Sequence, residues 1–258
     1  GTYPWPQPFI VVGYGKLGGI ELGPGSDLDL VFIHDLPADA AQFLHRLVRR
    51  LLHIITVPTY VGTLYEADMR LRPSGNAGTM VSSLDPFREY QVGEAWTWEH
   101  QALVRARGLA GDRALIERFE AVRREILCRA REPGRLREDV LGMRRRMAGQ
   151  VTAEGDLKRA SGGMVDIEFI VQYLVLAHAH THPELAIWSD NVRILETAGR
   201  LNLIPAELAE RLRAAYLALR TEWHRSVLDL PDTERATQVL DLHRAAVQQA
   251  WHAVFGEH

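Results

Sequence analysis

At 258 residues, with 47% apolar and 24% charged side chains, the chain has the composition of an ordinary globular protein of one or two domains with an ample core. A net charge of −3 argues against a general nucleic-acid binder, and no apolar run approaches the roughly 20 residues of a membrane span. The lone Cys128 cannot form an internal disulfide and no signal-peptide pattern opens the chain, so the cytoplasm is the expected compartment, while a start on Gly1 without methionine suggests a piece of something longer.

In chain order, Phe9 to Val12 is a short apolar run that predicts a strand, followed by the glycine-rich Gly13-Tyr14-Gly15-Lys16-Leu17-Gly18-Gly19. Next comes Ser26-Asp27-Leu28-Asp29-Leu30-Val31-Phe32. Alternation along a strand places Asp27 and Asp29 on one face and Leu28, Leu30 and Phe32 on the other, toward a core. Two acids at alternate positions are commonly just the wet face of an edge strand. Here the glycines upstream can bring bare backbone amides to phosphate oxygens, and no Lys or Arg lies between Gly18 and Phe32 to neutralise the acids. Carboxylates converging from a rigid strand suit Mg²⁺, a hard cation that prefers oxygen donors and substrate phosphates.

A helix is predicted over Ala40 to Ile55, with Phe43, Leu44, Leu47, Val48, Leu51 and Leu52 on one face. A strand follows over Leu64 to Leu71, whose alternation puts Asp68, Arg70 and Arg72 together. Three carboxylates on adjacent strands can hold two metal ions. Arg70 and Arg72 either contact phosphate or pair with Asp68 and its neighbours. Thr79 to Val81 predicts a strand, and one helix is expected from Ser83 through Phe87 and Tyr90 toward Arg105. Within it Trp96 and Trp98 either stack a base or belong to the core.

After residue 112 strand signals nearly vanish, which predicts an α/β layer over 1–112 and a helical bundle over 113–258. Arg144-Arg145-Arg146 reads as a solvated helix face, or as a docking face for an acidic partner. Met164, Ile167, Ile170, Val171 and Leu174 recur at helical spacing, as do Leu208, Leu212, Ala215, Leu219 and Trp223. Asp166 is expected in the first turn of its helix, where the dipole favours it, and Glu168 beside an arginine. His178 and His182 have metal-like spacing but lack a third ligand nearby in sequence. Ser189 is a candidate N-cap, Pro205 suits a first turn, and Pro231 punctuates the last helices. Of 30 basic residues only Lys16 and Lys158 are lysines, each beside a glycine turn, the setting of a phosphate-contacting amine or of an ordinary surface lysine.

The glycine pair, the Asp-x-Asp, the third Asp and the helical bundle together resemble the polymerase-β-type nucleotidyltransferase superfamily. Gly15-Lys16-Leu17-Gly18-Gly19, Ser26-Asp27-Leu28-Asp29-Leu30, Asp68-Met69-Arg70-Leu71-Arg72-Pro73-Ser74-Gly75, Glu94-Ala95-Trp96-Thr97-Trp98-Glu99-His100, Gly162-Gly163-Met164-Val165-Asp166-Ile167-Glu168 and Trp188-Ser189-Asp190-Asn191 resemble the bacterial glutamine synthetase adenylyltransferase family more closely. The resemblance implies an α+β catalytic domain with a small mixed sheet followed by an all-α bundle. It implies Asp27, Asp29 and Asp68 as the Mg²⁺ ligands and catalytic residues. Gly18, Gly19, Ser26, Lys16, Arg70, Arg72 and Lys158 are then expected around the ATP substrate. Family members carry two related units, one adding AMP to glutamine synthetase and one removing it by phosphorolysis. Ser74-Gly75-Asn76-Ala77-Gly78 and Ala95-Trp96-Thr97-Trp98-Glu99-His100 are similar to the adding, C-terminal unit. Ala67 before the third acid and Gly93 before Glu94 depart from the pattern without touching the acids. The resemblance further implies glutamine synthetase as the protein partner and PII signalling acting on the full-length enzyme. Deadenylylation, uridylyl transfer to PII and a non-catalytic docking module remain as alternatives.

Overall fold

A computed structural model describes residues 8–37, 41–60, 62–63, 65–148, 157–229 and 234–256. The chain divides into two compact units, Gly1–Leu127 and Cys128–His258. The first is α+β and the second all-α, as the composition of the two halves predicts. The boundary falls one helix later than the expected residue 112. Helix Arg113–Leu127 buries Leu115, Phe119, Ile126 and Leu127 within the first unit, and Phe119 packs against Phe87 at 5.9 Å between ring centroids. A change from strands to helices in sequence therefore does not coincide with a change of core.

In the first unit β1 (Phe9–Gly13) leads through the short helix α1 (Gly15–Gly18) to β2 (Leu28–His34). Helix α2 (Ala41–Thr56), the two-residue β3 (Ala67–Asp68) and β4 (Val81–Ser83) follow. Then come α3 (Leu84–Gly93), α4 (Thr97–Val104), β5 (Arg107–Gly111) and α5 (Arg113–Leu127). The sheet is mixed: β1 pairs antiparallel with β2 and β5, and β2 pairs parallel with β3 near its start and with β4 near its end. Leu28, Leu30 and Phe32 face a core with Phe9, Val81 and the α2 residues Leu44 and Val48. Phe9 and Phe32 stack at 6.0 Å. Asp29 therefore lies on the opposite face, as the alternation requires, while Asp27 stands just before the strand.

Four local expectations give way to tertiary structure. The strand expected over Leu64 to Leu71 is reduced to Ala67–Asp68, with Leu64 outside the described residues, because the Asp68 carboxylate accepts the Arg70 backbone N–H at 2.8 Å and turns the chain out of the sheet. The single helix expected from Ser83 to Arg105 is two helices. The chain breaks at Trp96, which is extended, and the Glu99 carboxylate accepts its backbone N–H at 2.9 Å to start α4. Strand β5 was not predicted: Arg107-Gly108-Leu109-Ala110-Gly111 has no apolar alternation, and its glycines meet Ile116 and the Phe9 backbone. Finally Phe43 is exposed, leaving Leu44, Leu47, Val48, Leu51 and Leu52 as the inward stripe of α2. Ala40 lies outside the described residues.

The second unit consists of α6 (Pro133–Ala148), α7 (Met164–His178), α8 (Asn191–Arg200), α9 (Ala206–Val227) and α10 (Glu234–Phe255). Helix α7 is the centre, buried on most of its circumference and touched by α6, α8, α9 and α10. Tyr173, Trp251 and Phe255 form an aromatic cluster on it. Asp166 does lie in the first turn of α7, but its main partner is Arg144, whose Nε donates to it at 2.5 Å. The Gly162 N–H donates to its other oxygen at 2.7 Å. Arg144 is thus buried and not part of a solvated face, and its second nitrogen donates to the Arg159 carbonyl at 2.9 Å. Asp190, and not Ser189, caps α8 by accepting the Arg193 N–H at 2.9 Å. Pro205 precedes the first turn of α9, and Pro231 lies outside the described residues. Among the described residues no helix is long and apolar enough to cross a membrane.

Two outcomes follow. Arg144→Met leaves the fully buried Asp166 charge without its partner and should cost about 3–5 kcal/mol, whereas pairing it with Asp166→Leu should recover most of the loss. Urea unfolding of both variants checks this; an unchanged midpoint for the single variant contradicts it. His34 is buried, its Nδ1 accepts the Leu36 N–H at 3.1 Å, and burial lowers its pKa below 6.5. The unfolded chain then binds this proton first, so the stability tied to neutral His34 is complete above about pH 6.5 and is lost as the pH falls below it. His34→Gln should flatten the fall of the melting temperature between neutral and mildly acidic pH.

Candidate functional site

The site is built where the end of β1 meets the start of β2. The Tyr14 N–H donates to the Asp29 carbonyl at 2.9 Å, which fixes the backbone of β2 at that residue. Gly15 follows in the left-handed region at φ +54°, and a Cβ placed on it would stand 2.4 Å from Asp29 Oδ2. Only glycine combines that backbone with so close an approach, so Gly15 sets the position of the Asp29 carboxylate. On the other side of β2, the Leu28 N–H donates to the Glu66 carbonyl at 2.8 Å, and Asp29 stands in register with Asp68 on parallel β3. Neighbouring strands lie about 5 Å apart, so Asp29 and Asp68 are neighbouring residues across the sheet. Asp27 is exposed just before β2.

Asp27, Glu66, Ala67, Asp68, Met69, Arg70 and Arg72 line an open, mainly polar cavity of about 390 Å³. Arg70 closes onto Asp68: its Nε and Nη2 donate to Oδ2 at 2.7 and 2.5 Å. This guanidinium holds the Asp68 carboxyl below the usual carboxylate range, against the opposing effect of partial burial. Asp29 and Asp27 also favour the charge on Arg70. Arg72 is held differently, by the carbonyls of Met69 at 2.7 Å and Gly78 at 3.5 Å. Behind it the loop turns through Ser74 and Gly75, both at positive φ, into a short 3₁₀ turn over Gly75–Ala77.

The glycine pair serves packing. The Gly18 and Gly19 N–H groups donate to the carbonyls of Tyr14 and Gly15 at 2.9 and 3.0 Å, so both amides are engaged within the turn. A Cβ on Gly18 would stand 2.0 Å from the Arg105 carbonyl oxygen, and one on Gly19 would meet the Arg105 guanidinium. Arg105 in turn pairs with Glu21, both side chains being buried. The glycines thus let the turn lie flat on a buried ion pair. Ser26 is buried and closes its own turn, its Oγ accepting the Gly23 N–H at 3.2 Å. Lys16 lies within α1, beside the Gly15 approach. Lys158 belongs to the second unit, where its Nζ lies 6.0 Å from the centroid of the Trp223 ring. Trp96 is 71% exposed and is not a core residue, while Trp98 is half-buried.

Among the described residues no three His, Cys, Asp or Glu side chains converge on one point as a ready metal site. Asp68 is turned to Arg70, and that cation takes the position next to the acids. The donor set itself fits a hard divalent ion: carboxylate oxygens from adjacent strands, one of them already neutralising a cation. Among the described residues His178 and His182 belong to no such group of three either. Reading the sequence missed Gly15 as a positioning residue and Glu66 as a cavity wall. Glycine before a strand with two acids is ambiguous, and only its φ and its approach to Asp29 reveal the role.

Comparison with known proteins accords with this architecture. Residues 4–122 match the family model of glutamate-ammonia ligase adenylyltransferase, and residues 135–253 match that of GlnD PII-uridylyltransferase. The bifunctional glutamine synthetase adenylyltransferase/adenylyl-removing enzyme of Shewanella loihica is 48% identical over 259 residues, an alignment covering 93% of this chain and 27% of that protein. The enzymes of the same name from Nitrosococcus oceani and Pseudomonas aeruginosa are 48% and 50% identical, covering 98% and 87% of this chain. The chain spans about a quarter of the length of these curated relatives. With about half of its residues identical to theirs over most of its length, and with the matching family model on the unit that carries the acids, the chain belongs to the glutamine synthetase adenylyltransferase/adenylyl-removing enzyme family.

Proposed function

We propose that this chain transfers AMP from ATP to a tyrosine hydroxyl of glutamine synthetase, with release of pyrophosphate. The observation that carries the reading is the register of Asp29 with Asp68 on the neighbouring strand, beside a polar cavity that Asp27 and Asp68 line, in the unit that matches the adenylyltransferase model. In this reading Asp27, Asp29 and Asp68 hold Mg²⁺, which when bound supplies charge neutralisation for the phosphates and helps ionise the attacking hydroxyl. The phenol oxygen bonds to the α-phosphorus, the bond from that phosphorus to pyrophosphate breaks in line, and the phenolic proton leaves to solvent or a carboxylate. Asp68 suits the role of ligand, since it stands in register with Asp29 on the neighbouring strand and lines the cavity. Arg72, fixed on two carbonyls at the cavity wall, is placed to offset phosphate charge. Lys16, Ser26, Gly18 and Gly19 act by shaping the turns around the nucleotide, and Lys158 belongs to the proposal as a phosphate contact only by family resemblance. The activity is placed in the cytoplasm, under control by PII in the full-length enzyme.

A second reading, uridylyl transfer to PII, is favoured by the match of residues 135–253 to the PII-uridylyltransferase model. Unmodified glutamine synthetase or PII is incubated with the chain, Mg²⁺ and either ATP or UTP, and the intact mass of the acceptor is recorded. The proposal expects a gain of one AMP on glutamine synthetase with ATP; a uridylyl gain on PII would replace it with the second reading. No gain on glutamine synthetase from the unaltered chain, or an equal gain from Asp29→Asn, contradicts the assignment. Asp27→Asn and Asp29→Asn should lower the rate by at least about a hundredfold while leaving thermal stability close to the parent's. Gly15→Ala retains every acid yet should slow transfer by about tenfold or more, because the methyl displaces the Asp29 carboxylate. A full rate in Gly15→Ala would remove Gly15 from the positioning role.

A further inference from the structure

The two guanidiniums at the cavity are held by opposite chemistry. Arg72 donates to backbone carbonyls, neutral acceptors that a divalent cation does not take from it. Arg70 donates to a carboxylate, a group for which a divalent cation competes directly. Both of its donating nitrogens converge on one oxygen, Asp68 Oδ2, while Oδ1 accepts the Arg70 backbone N–H at 2.8 Å. Residue 70 therefore engages both oxygens of the acid that pairs with Asp29 across the sheet. The Arg70 side chain is 75% exposed and that of Asp68 22%. An ion pair so open to water is weak, and its arginine is free to turn about its long side chain.

We propose that Arg70 is an exchangeable counter-ion of the acid cluster, holding Asp68 while no divalent cation is bound and turning to the nucleotide phosphates once a cation takes the carboxylates. This rests on the reading of Asp27, Asp29 and Asp68 as a divalent-cation site. The exchange keeps charge balanced at both stages. Without metal the guanidinium offsets the charge of Asp68, with Asp29 in register on the neighbouring strand and Asp27 on the same cavity. With metal and nucleotide, the released guanidinium meets the phosphate charge that the metal leaves uncompensated. Because Arg70 stands in the turn directly after β3 and not in the sheet, its side chain can move without disturbing the Asp29–Asp68 register. One residue thereby couples metal loading to nucleotide capture. Metal binding is opposed by Arg70, and nucleotide binding to the metal-loaded site is aided by it.

The test is a binding measurement with Mn²⁺ as probe, counting free Mn²⁺ by electron paramagnetic resonance in titrations of the whole chain. It is made on the parent, Arg70→Gln, Arg70→Lys and Asp29→Asn, followed by titration with α,β-methylene-ATP at saturating Mn²⁺. Arg70→Gln is expected to bind Mn²⁺ about three- to fivefold tighter without nucleotide, the scale of one exposed ion pair. It should then bind the analogue about tenfold more weakly. Arg70→Lys, which keeps the charge, should stay near the parent in Mn²⁺ affinity. If the parent binds Mn²⁺, Asp29→Asn does not, and Arg70→Gln leaves the Mn²⁺ affinity unchanged or lowers it, the exchange is overturned while the metal site stands. Tighter Mn²⁺ with unchanged analogue binding overturns the transfer to phosphate. If neither the parent nor Arg70→Gln binds Mn²⁺, the metal reading and the exchange fall together.

Discussion

The contact on which the first unit depends is that of Gly15 with the Asp29 carboxylate. A left-handed residue without a side chain lets β1 turn back directly onto β2, and the Tyr14 N–H to Asp29 carbonyl bond fixes the spacing. The carboxylate then stands against Gly15, with Asp68 in register on the neighbouring strand. The surrounding features support this junction. Gly18 and Gly19 allow the turn to lie against Arg105, and the buried Glu21–Arg105 pair ties that turn to the end of α4. A buried pair of this kind adds little net stability against an apolar alternative, yet removing one partner would strand the other, so it fixes where the turn sits. Leu28, Leu30 and Phe32 anchor the other face of β2 in the core. The acids are thereby presented on a strand that cannot slip by one residue without exposing its apolar side.

The second unit uses the same device for a structural end. Asp166 is fully buried, and Arg144 and the Gly162 amide satisfy it. Gly162 stands at φ +76°, a conformation that suits glycine and brings its amide to the carboxylate. This joins the start of α7 to α6 and to the turn before it. The segment around Gly162-Gly163 and Asp166, which stands out in sequence as strongly as the Asp-x-Asp, thus has a full structural account within its own unit.

Much of this was legible in sequence because it rests on period and spacing. The alternation of Asp27 and Asp29 against Leu28, Leu30 and Phe32 announced the strand and its two faces, and the i, i+3, i+4 stripes announced the bundle. What was not legible depends on distant partners. Nothing local says that Asp68 will take the Arg70 amide and end its strand after two residues, or that Glu99 will reach back to Trp96 and divide a helix. The edge strand Arg107–Gly111 carries no alternation, since its glycines serve close packing with Ile116 and Phe9. Arg144 looks like its exposed neighbours Arg145 and Arg146 until Asp166, 22 residues away, is placed beside it. The glycine pair pointed to phosphate, whereas its amides are engaged in the turn and Gly15 is the residue that meets the site.

The central claim is that this junction presents Asp29 and Asp68 as a pair to one divalent cation. Crystals of the chain grown with Mn²⁺ and α,β-methylene-ATP, with the metal located by its anomalous scattering, test it most directly. The account predicts a metal bound by the Asp29 and Asp68 carboxylates, with Gly15 still packed against Asp29. A metal held away from these two side chains, in a chain whose first unit is otherwise unchanged, would contradict it.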